Sequence, residues 1–386
     1  MVGKAAYLKK LTSKMQFRSV EVGEKLDGSS PPSVFIGSYG YPKVYVGPML
    51  TPQYGDTSFL DSPEDWIPHE KQLSDIVQFR LQLVRGKAQV GIRDLDNNLV
   101  SKIQEISLSK NSINSEAEFK HAPRGITFNE EHAPFGPSAT IKKFDIDNVK
   151  WEHNFEKTYH DTDLRAGEAV VDLYKQGYNF TQIQKAFSTG TMGLGKNRKL
   201  VPTRWSITAV DSIIGEHYLD QVKHSEIIDS FEVYEFTALK NYFAILLTPT
   251  PWQYEWIEAF IHVLADEEAI FSDHELYHPK KEYSSVGGCY YSVRSEVTQK
   301  LSMRRKQAGA IVFREAYPGY VPTGVWLCRE ETKHALAQAP KEFFDLKSAI
   351  SYISSKLQLP FYKFHSQSVL LKDILKRRQT LLASYF

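Results

Sequence analysis

Residues 188–211, STGTMGLGKNRKLVPTRWSITAVD, separate two halves of different character. Three glycines, Gly190, Gly193 and Gly195, precede four cations, Lys196, Arg198, Lys199 and Arg204. From Ser206 onward, Ile207, Ala209, Val210, Ile213 and Ile214 recur at near-helical spacing, so a helix is expected to open there. Glycines let a backbone approach a ligand, and a helix N-terminus presents unpaired N–H donors. Lysine and arginine beside them complete a candidate phosphate site formed by Lys196, Arg198, Lys199 and Arg204. It is not a P-loop, because no Gly-Lys-Ser/Thr closes the glycine run. A solvated basic loop capped by Thr203 or Ser206 fits the same residues.

Upstream, residues 1–30 are polar and read as a basic arm closed by Ser29-Ser-Pro-Pro32. The stretch from Val34 to Met49 reads as two strands around a turn containing Gly37, Gly40 and Pro42. Ser62 before Pro63 suits a helix N-cap, with Glu64 and Asp65 at the positive end. Residues 71–85 place Leu73, Ile76, Val77, Leu81 and Val84 on one helical face, with Gly86 as its end. His121 and His132 lie in paired HAP tripeptides, but proline-broken sequence between them favours loop histidines over metal ligands. Residues 139–157 alternate like a strand. An amphipathic helix ending near Gly177 and a shorter one lead to the glycine run.

Downstream, FEVYEF (231–236) and YFAILLT (242–248) read as antiparallel strands around a turn. Residues 253–264 read as a helix holding Glu255 and Glu258, and GGCYYSVR (287–294) opens another. AIVFRE (310–315) and GVWLCRE (324–330) read as buried runs, each ending in Arg-Glu at one rim. Residues 344–358 and 366–378 form two final helices. The expected class is α+β, with mixed and antiparallel sheets, covering helices and a flexible C-terminal tail. The expected parts are an arm (1–30), a body (31–378, as one lobe or as lobes near 31–200 and 201–378) and a tail (379–386).

The chain has 386 residues, 42% hydrophobic and 24% charged, with a net charge of +1. That balance excludes a bulk polyelectrolyte, so any nucleic-acid contact must come from a local patch. Two cysteines, Cys289 and Cys328, exclude an all-cysteine zinc site and argue against a secreted disulfide scaffold. No apolar run is long enough to span a membrane, and no leader pattern is visible, so a cytoplasmic location is expected. Motifs for dinucleotide binding, zinc proteases, serine hydrolases and thiol redox enzymes are missing. Asp211, Glu255, Glu258, Glu315 and Glu330 would serve a metal-dependent phosphodiester reaction only if several converged. A divalent metal is therefore expected only if the protein is an enzyme.

Taken in order, FIGSYGYPKVYVGPM (35–49), DSPEDW (61–66), QLVRG (82–86), RKLVPTRWSITAVD (198–211), GGCYYSVR (287–294) and GVWLCRE (324–330) resemble the archaeal Nre family of DNA repair proteins. The likeness runs from about residue 33 to residue 386. It implies a role in repairing DNA damage together with the sliding clamp PCNA. It also implies a clamp-binding motif at Gln379, Leu382, Tyr385 and Phe386. Gln379, Leu382 and Tyr385 have the three-residue spacing that shares one face of a 3₁₀ turn. Lys376, Arg377 and Arg378 precede them. Some family members carry an N-terminal zinc-binding cysteine cluster that this sequence lacks, so zinc is not implied. No catalytic residue is implied either, which leaves a nuclease and a non-catalytic adaptor both open.

Overall fold

The computed structural model describes residues 18–126, 134–264 and 266–383, with side chains through Lys376. His132, Tyr385 and Phe386 lie outside the described residues, as do the first 17 positions of the expected arm. Two compact units emerge. One holds the described residues up to Ile214 with Pro322–Gly324; the other holds Gly215–Val321 and Val325 onward. The expected α+β class is observed in both.

In the first unit, six strands lie in the order β1-β5-β6-β4-β3-β2. They are β1 (Lys25–Ser30), β2 (Val34–Ile36), β3 (Lys43–Leu50), β4 (Val84–Gly91), β5 (Ile113–Phe119) and β6 (Ser138–Ile146). All neighbours are antiparallel except β4 and β6. The helices are α1 (Pro63–Trp66), α2 (Leu73–Leu81), α3 (Asn98–Leu108), α4 (His153–His160), α5 (Ala166–Lys175) and α6 (Phe180–Ser188). A seventh, α7 (Thr203–Lys223), begins in this unit and ends in the other. Val100, Ile103 and Ile106 form the apolar stripe of α3 and share a core with Val44, Val46, Leu50 and Val84. The helix expected over 71–85 stops at Leu81, and Gly86 belongs to β4. There an added Cβ would sit 2.6 Å from the Ile141 side chain, so glycine admits the neighbouring strand. The strand expected over 139–157 ends at Ile146, and α4 takes its last residues.

Asp61 ties this unit together. Its buried carboxylate accepts from Ser33 Oγ just before β2, from Arg80 of α2, and pairs with Lys185 of α6 at 3.0 Å. All three partners are themselves buried. Burial pushes the Asp61 carboxyl up, but the Arg80 and Lys185 charges outweigh it and hold it below the usual range. A folded pKa below the unfolded one adds stability above about pH 4, lost as pH falls through the lowered value.

The second unit carries another six-stranded sheet, ordered β11-β10-β13-β9-β8-β14. After β7 (Glu226–Ile227) come β8 (Phe231–Ala238), β9 (Asn241–Thr248), β10 (Gln253–Phe260) and β11 (Ala269–Glu275). Then follow α8 (Gly288–Arg304), β12 (Lys306–Gln307), β13 (Gly309–Ala316), α9 (Trp326–Ala337) and β14 (Lys341–Phe343). The chain continues through α10 (Leu346–Lys356), α11 (Phe361–Gln367) and α12 (Leu370–Ala383). Only β10 and β13 pair in parallel within the sheet, while β7 and β12 form a small parallel ladder of their own. The turn joining β8 and β9 is Leu239-Lys240, both at positive φ, as expected for a two-residue hairpin.

Three readings of this half are corrected. Residues 253–260 are a strand, not a helix. GVWLCRE is mostly buried as expected, but its Arg-Glu pair falls inside helix α9 rather than ending the run. The final helical region holds α10, α11 and α12 instead of two helices. The cause is a sheet covered on both sides. In β9, β10 and β13 every residue is buried, so the alternation that marks a half-exposed strand is lost. Ile257, Ala259, Ile311 and Phe313 face the core that includes Leu346, Ile353, Phe364 and Leu370. The alternate residues Tyr254 and Arg314 face the other way, where Tyr254 donates to the Tyr290 carbonyl of α8.

Replacing Asp61 by Asn is expected to cost roughly 3–5 kcal/mol at neutral pH, because two buried cations lose their counter-charge. Urea unfolding at pH 7 measures it. The difference from wild type should begin to shrink below about pH 4, where Asp61 of the unfolded chain is protonated, and vanish as pH falls through the lowered folded value. Equal unfolding midpoints at pH 7 would remove the triad from any stabilising role.

Candidate nucleic-acid interface

The glycine–cation segment is held by its main chain. Ser188 Oγ donates to the Val201 carbonyl, and the Val201 amide donates back to Ser188 at 2.8 Å. Gly190 has φ +72, and an added Cβ there would lie 2.6 Å from the Lys199 carbonyl oxygen. Only glycine suits both that backbone and that approach. Thus the two ends of the segment close on each other before α7 begins at Thr203.

Its cations separate into different environments. Arg198 is spent internally. Its Nε donates to the Gly193 carbonyl at 2.8 Å, Nη1 to Tyr159 at 2.7 Å, and Nη2 to Asp161 at 2.8 Å and Thr158 at 3.4 Å. Residues 158–161 are the C-terminal end of α4, where carbonyls lack helical partners and the helix dipole is negative. Arg198 therefore caps α4 and pins the loop to it. Partial burial lowers its pKa, opposed by Tyr159 and Asp161. Lys196 is exposed in a short 3₁₀ turn whose Gly195 amide donates to the Thr162 carbonyl. Lys199 is exposed and Arg204 half-buried in the first turn of α7.

A second element lies beside Lys199 and Arg204. Ile92, just past β4, accepts from the Leu200 amide at 2.8 Å and donates to the Pro42 carbonyl at 3.0 Å. The Ile36 amide, at the end of β2, donates to Thr203 Oγ1 at 3.0 Å. The β2–β3 loop, residues 37–42, is thereby stitched to the start of α7. The Tyr41 and Trp205 rings lie 5.1 Å apart, and both are exposed at 43% and 44%. Tyr39 is 85% exposed on the same loop, and Tyr45 is exposed at the start of β3. Four of the five stitched residues neighbour a cation: Lys43 follows Pro42, Arg93 follows Ile92, Lys199 precedes Leu200, and Arg204 follows Thr203. Exposed rings interleaved with cations can stack bases and track a phosphate backbone. Reading the sequence noted the glycines of this loop but missed its tyrosines and Trp205. The available signal was three tyrosines and a lysine in GSYGYPKVY, a composition wasteful for an ordinary turn.

The carboxylates considered for metal binding have other work. Glu255 accepts from Ser368 Oγ and from the amides of Val369 and Leu370 at the start of α12. Glu315 accepts from the Gln358 and Leu359 amides, both at 2.8 Å, and from the Tyr317 hydroxyl. Glu258 pairs with Arg314 at 2.9 Å. Glu330 is buried in α9, and Asp211 is buried in α7 within the first unit. Among the described residues no group of three or more His, Cys, Asp or Glu side chains is arranged to hold a metal ion. Arg314 and Glu315 lie within the sheet rather than at a rim, both almost wholly buried.

The α4 cap predicts a division of effects among neighbouring cations. Arg198→Ala should destabilise the protein by about 1.5–3 kcal/mol, the range for hydrogen bonds made by a charged group. Lys199→Ala should leave the unfolding midpoint near wild type. Thermal and urea unfolding of the two variants decide it, and equal stability of both would refute the cap.

A family model described as Archaeal Nre, N-terminal matches residues 3–263, and one described as Archaeal Nre, C-terminal matches residues 275–385. DNA repair protein NreB of Archaeoglobus fulgidus is 38% identical, over 92% of this chain and 90% of its own length. DNA repair protein NreA of the same organism is 32% identical, over 97% and 94%. DNA repair protein NreA of Haloferax volcanii is 30% identical, over 83% and 80%. No solved structure matches. The first match ends just past β10 and the second begins at the last residue of β11, the strand that pairs antiparallel with β10 in one sheet. With both segments and nearly the full length of curated relatives aligned, the chain belongs to the archaeal Nre family.

Proposed function

We propose that this protein acts in DNA repair, binding DNA through the Tyr41–Trp205 surface and the sliding clamp PCNA through its C-terminal tail. Three relatives bear the name DNA repair protein, which supports the general role. The observation that carries the DNA reading is the exposed Tyr41–Trp205 ring pair bordered by Lys43, Arg93, Lys199 and Arg204. Unstacked bases lie on the rings, and the cations follow the phosphates. Lys196 meets the strand further along, while Arg198 shapes the loop. A single nucleotide would use the same phosphate-binding cations, but it would engage fewer rings. The role places the protein in the cytoplasm with the chromosome. A metal-dependent nuclease is the second reading, and it needs carboxylates beyond those described above.

Base stacking contributes about 1–3 kcal/mol per base by alanine substitution. Trp205→Ala is therefore expected to weaken binding of a single-stranded oligonucleotide roughly 5- to 150-fold. Lys199→Ala or Arg204→Ala should reduce the slope of log K against log salt by about 0.7 for each phosphate left unneutralised. Fluorescence anisotropy over a salt series measures both. Undiminished affinity in the Trp205 variant, with a native unfolding midpoint, would reject this surface.

The tail reading rests on Gln379, Leu382, Tyr385 and Phe386. Gln379 and Leu382 fall within the backbone span of α12. Leu370, Leu371 and Ile374, which fix α12 to the core, all precede Arg378. A chain ending at Arg378 should thus keep its unfolding midpoint while losing affinity for PCNA. The isolated peptide 376–386 should compete with the full chain for the clamp. Calorimetric titration distinguishes the cases, and clamp binding that survives truncation would assign docking elsewhere.

A further inference from the structure

The chain has two cysteines, and the fold brings them together. Cys289 lies in the first turn of α8 and Cys328 near the start of α9, 39 residues apart in sequence. The Cys328 thiol donates to the Cys289 sulfur, with the sulfurs 3.1 Å apart. Their exposures differ: Cys289 is half-buried, whereas Cys328 is buried at 1%. Solvent reaches the Cys289 side. Residues 285–289 include no buried position, and an added Cβ at Gly287 would meet no atom within 4 Å. Behind Cys328 stands the sheet, with the buried Arg314 guanidinium among the Phe260 and Tyr320 rings. Burial, together with the hydrogen bond given to Cys289, pushes the Cys328 thiol well up, so it keeps its proton.

We propose that Cys289 and Cys328 are a site of reversible oxidation, closing an intramolecular disulfide between α8 and α9 when the protein meets a peroxide. The exposures set the order. The Cys289 sulfur attacks one oxygen of hydrogen peroxide; the O–O bond breaks, giving a Cys289 sulfenic acid and one water. The Cys328 sulfur then attacks the sulfenic sulfur. The S–S bond forms as the hydroxyl leaves with the Cys328 proton as a second water. Two thiols have lost two electrons to one peroxide, and a dithiol reductant reverses the change. The bond ties the start of α8 to α9 and shortens the loop available to the unfolded chain, which raises the unfolding temperature.

The test treats the full chain with hydrogen peroxide, then alkylates it in denaturant and measures intact mass. The expected product carries no alkyl group, weighs two hydrogens less than the reduced chain and has no disulfide to a second chain. Dithiothreitol should restore two alkylatable thiols. With Cys328→Ser, oxidation should stop at a Cys289 sulfenic acid that dimedone traps. With Cys289→Ser, Cys328 should stay reduced. Two thiols persisting in peroxide-treated wild type, or disulfide-linked dimers, would overturn the proposal without reliance on either variant. Oxidation of Cys328 in the Cys289→Ser chain would overturn the assigned order.

Discussion

One buried carboxylate, Asp61, fixes the geometry of the first unit. It takes a hydroxyl from Ser33, a guanidinium from Arg80 and an ammonium from Lys185. Ser33 immediately precedes β2, which runs into the Tyr39–Tyr41 loop. Lys185 lies in α6, which runs into the glycine–cation segment. The two elements that meet at Trp205 are therefore referred to the same anchor at their other ends. Glu64, three residues on, adds a second tie by accepting the Thr181 amide at the start of α6 at 2.8 Å. Ions taken out of water are costly unless paired, and the Asp61 carboxylate is paired with two cations and a hydroxyl. The DSPEDW motif reads as a helix start, and it is one, but the residue just before its Ser-Pro pair has the larger structural effect.

How much was legible follows from what each residue faces. Helices with one solvent face, such as α5 and α6, announce themselves by periodicity, and the β8–β9 hairpin announces itself by its apolar strands. Strand β10 does not. Glu255 and Glu258 stand three apart, the spacing of a helix's polar face, yet they point to opposite sides of a buried sheet. Each is satisfied by a partner more than 50 residues away, Ser368 and Arg314 respectively. Local pattern cannot encode a partner so distant, so the strand reads as a helix holding both acids. The same cause made the carboxylates look available for metal.

The candidate interface was half visible. The cations of residues 196–204 stood out, but their sequence proximity concealed a division of labour. Arg198 turns inward because the end of α4 offers it unpaired carbonyls, whereas Lys199 is exposed. The aromatic half lies about 160 residues upstream in sequence, joined through Ile92 and Thr203. Backbone amides and one threonine hydroxyl make that join, and neither leaves a compositional trace. A net charge of +1 on 386 residues fits such an arrangement, because local patches rather than total charge set where a polyanion lands.

The second unit solves a related problem at its end. A helix that begins against a buried sheet exposes N–H donors with no water to take them. Glu255, from a central strand, receives the Val369 and Leu370 amides, and Ser368 receives that of Leu371 at 3.0 Å. Burial raises the Glu255 pKa, opposed by these same hydrogen bonds. The carboxylate therefore does more than satisfy three donors. It sets where α12 starts, and Leu370, Leu371 and Ile374 set which side of the helix meets the core. A helix fixed at its origin and along its first turns has a fixed direction. Strand β10, which carries Glu255, falls in the N-terminal family segment, and α12 falls in the C-terminal one. The interaction that sets the start of α12 thus needs both segments, as does the sheet beneath it, so the boundary between the family segments cuts through a folding unit rather than between two.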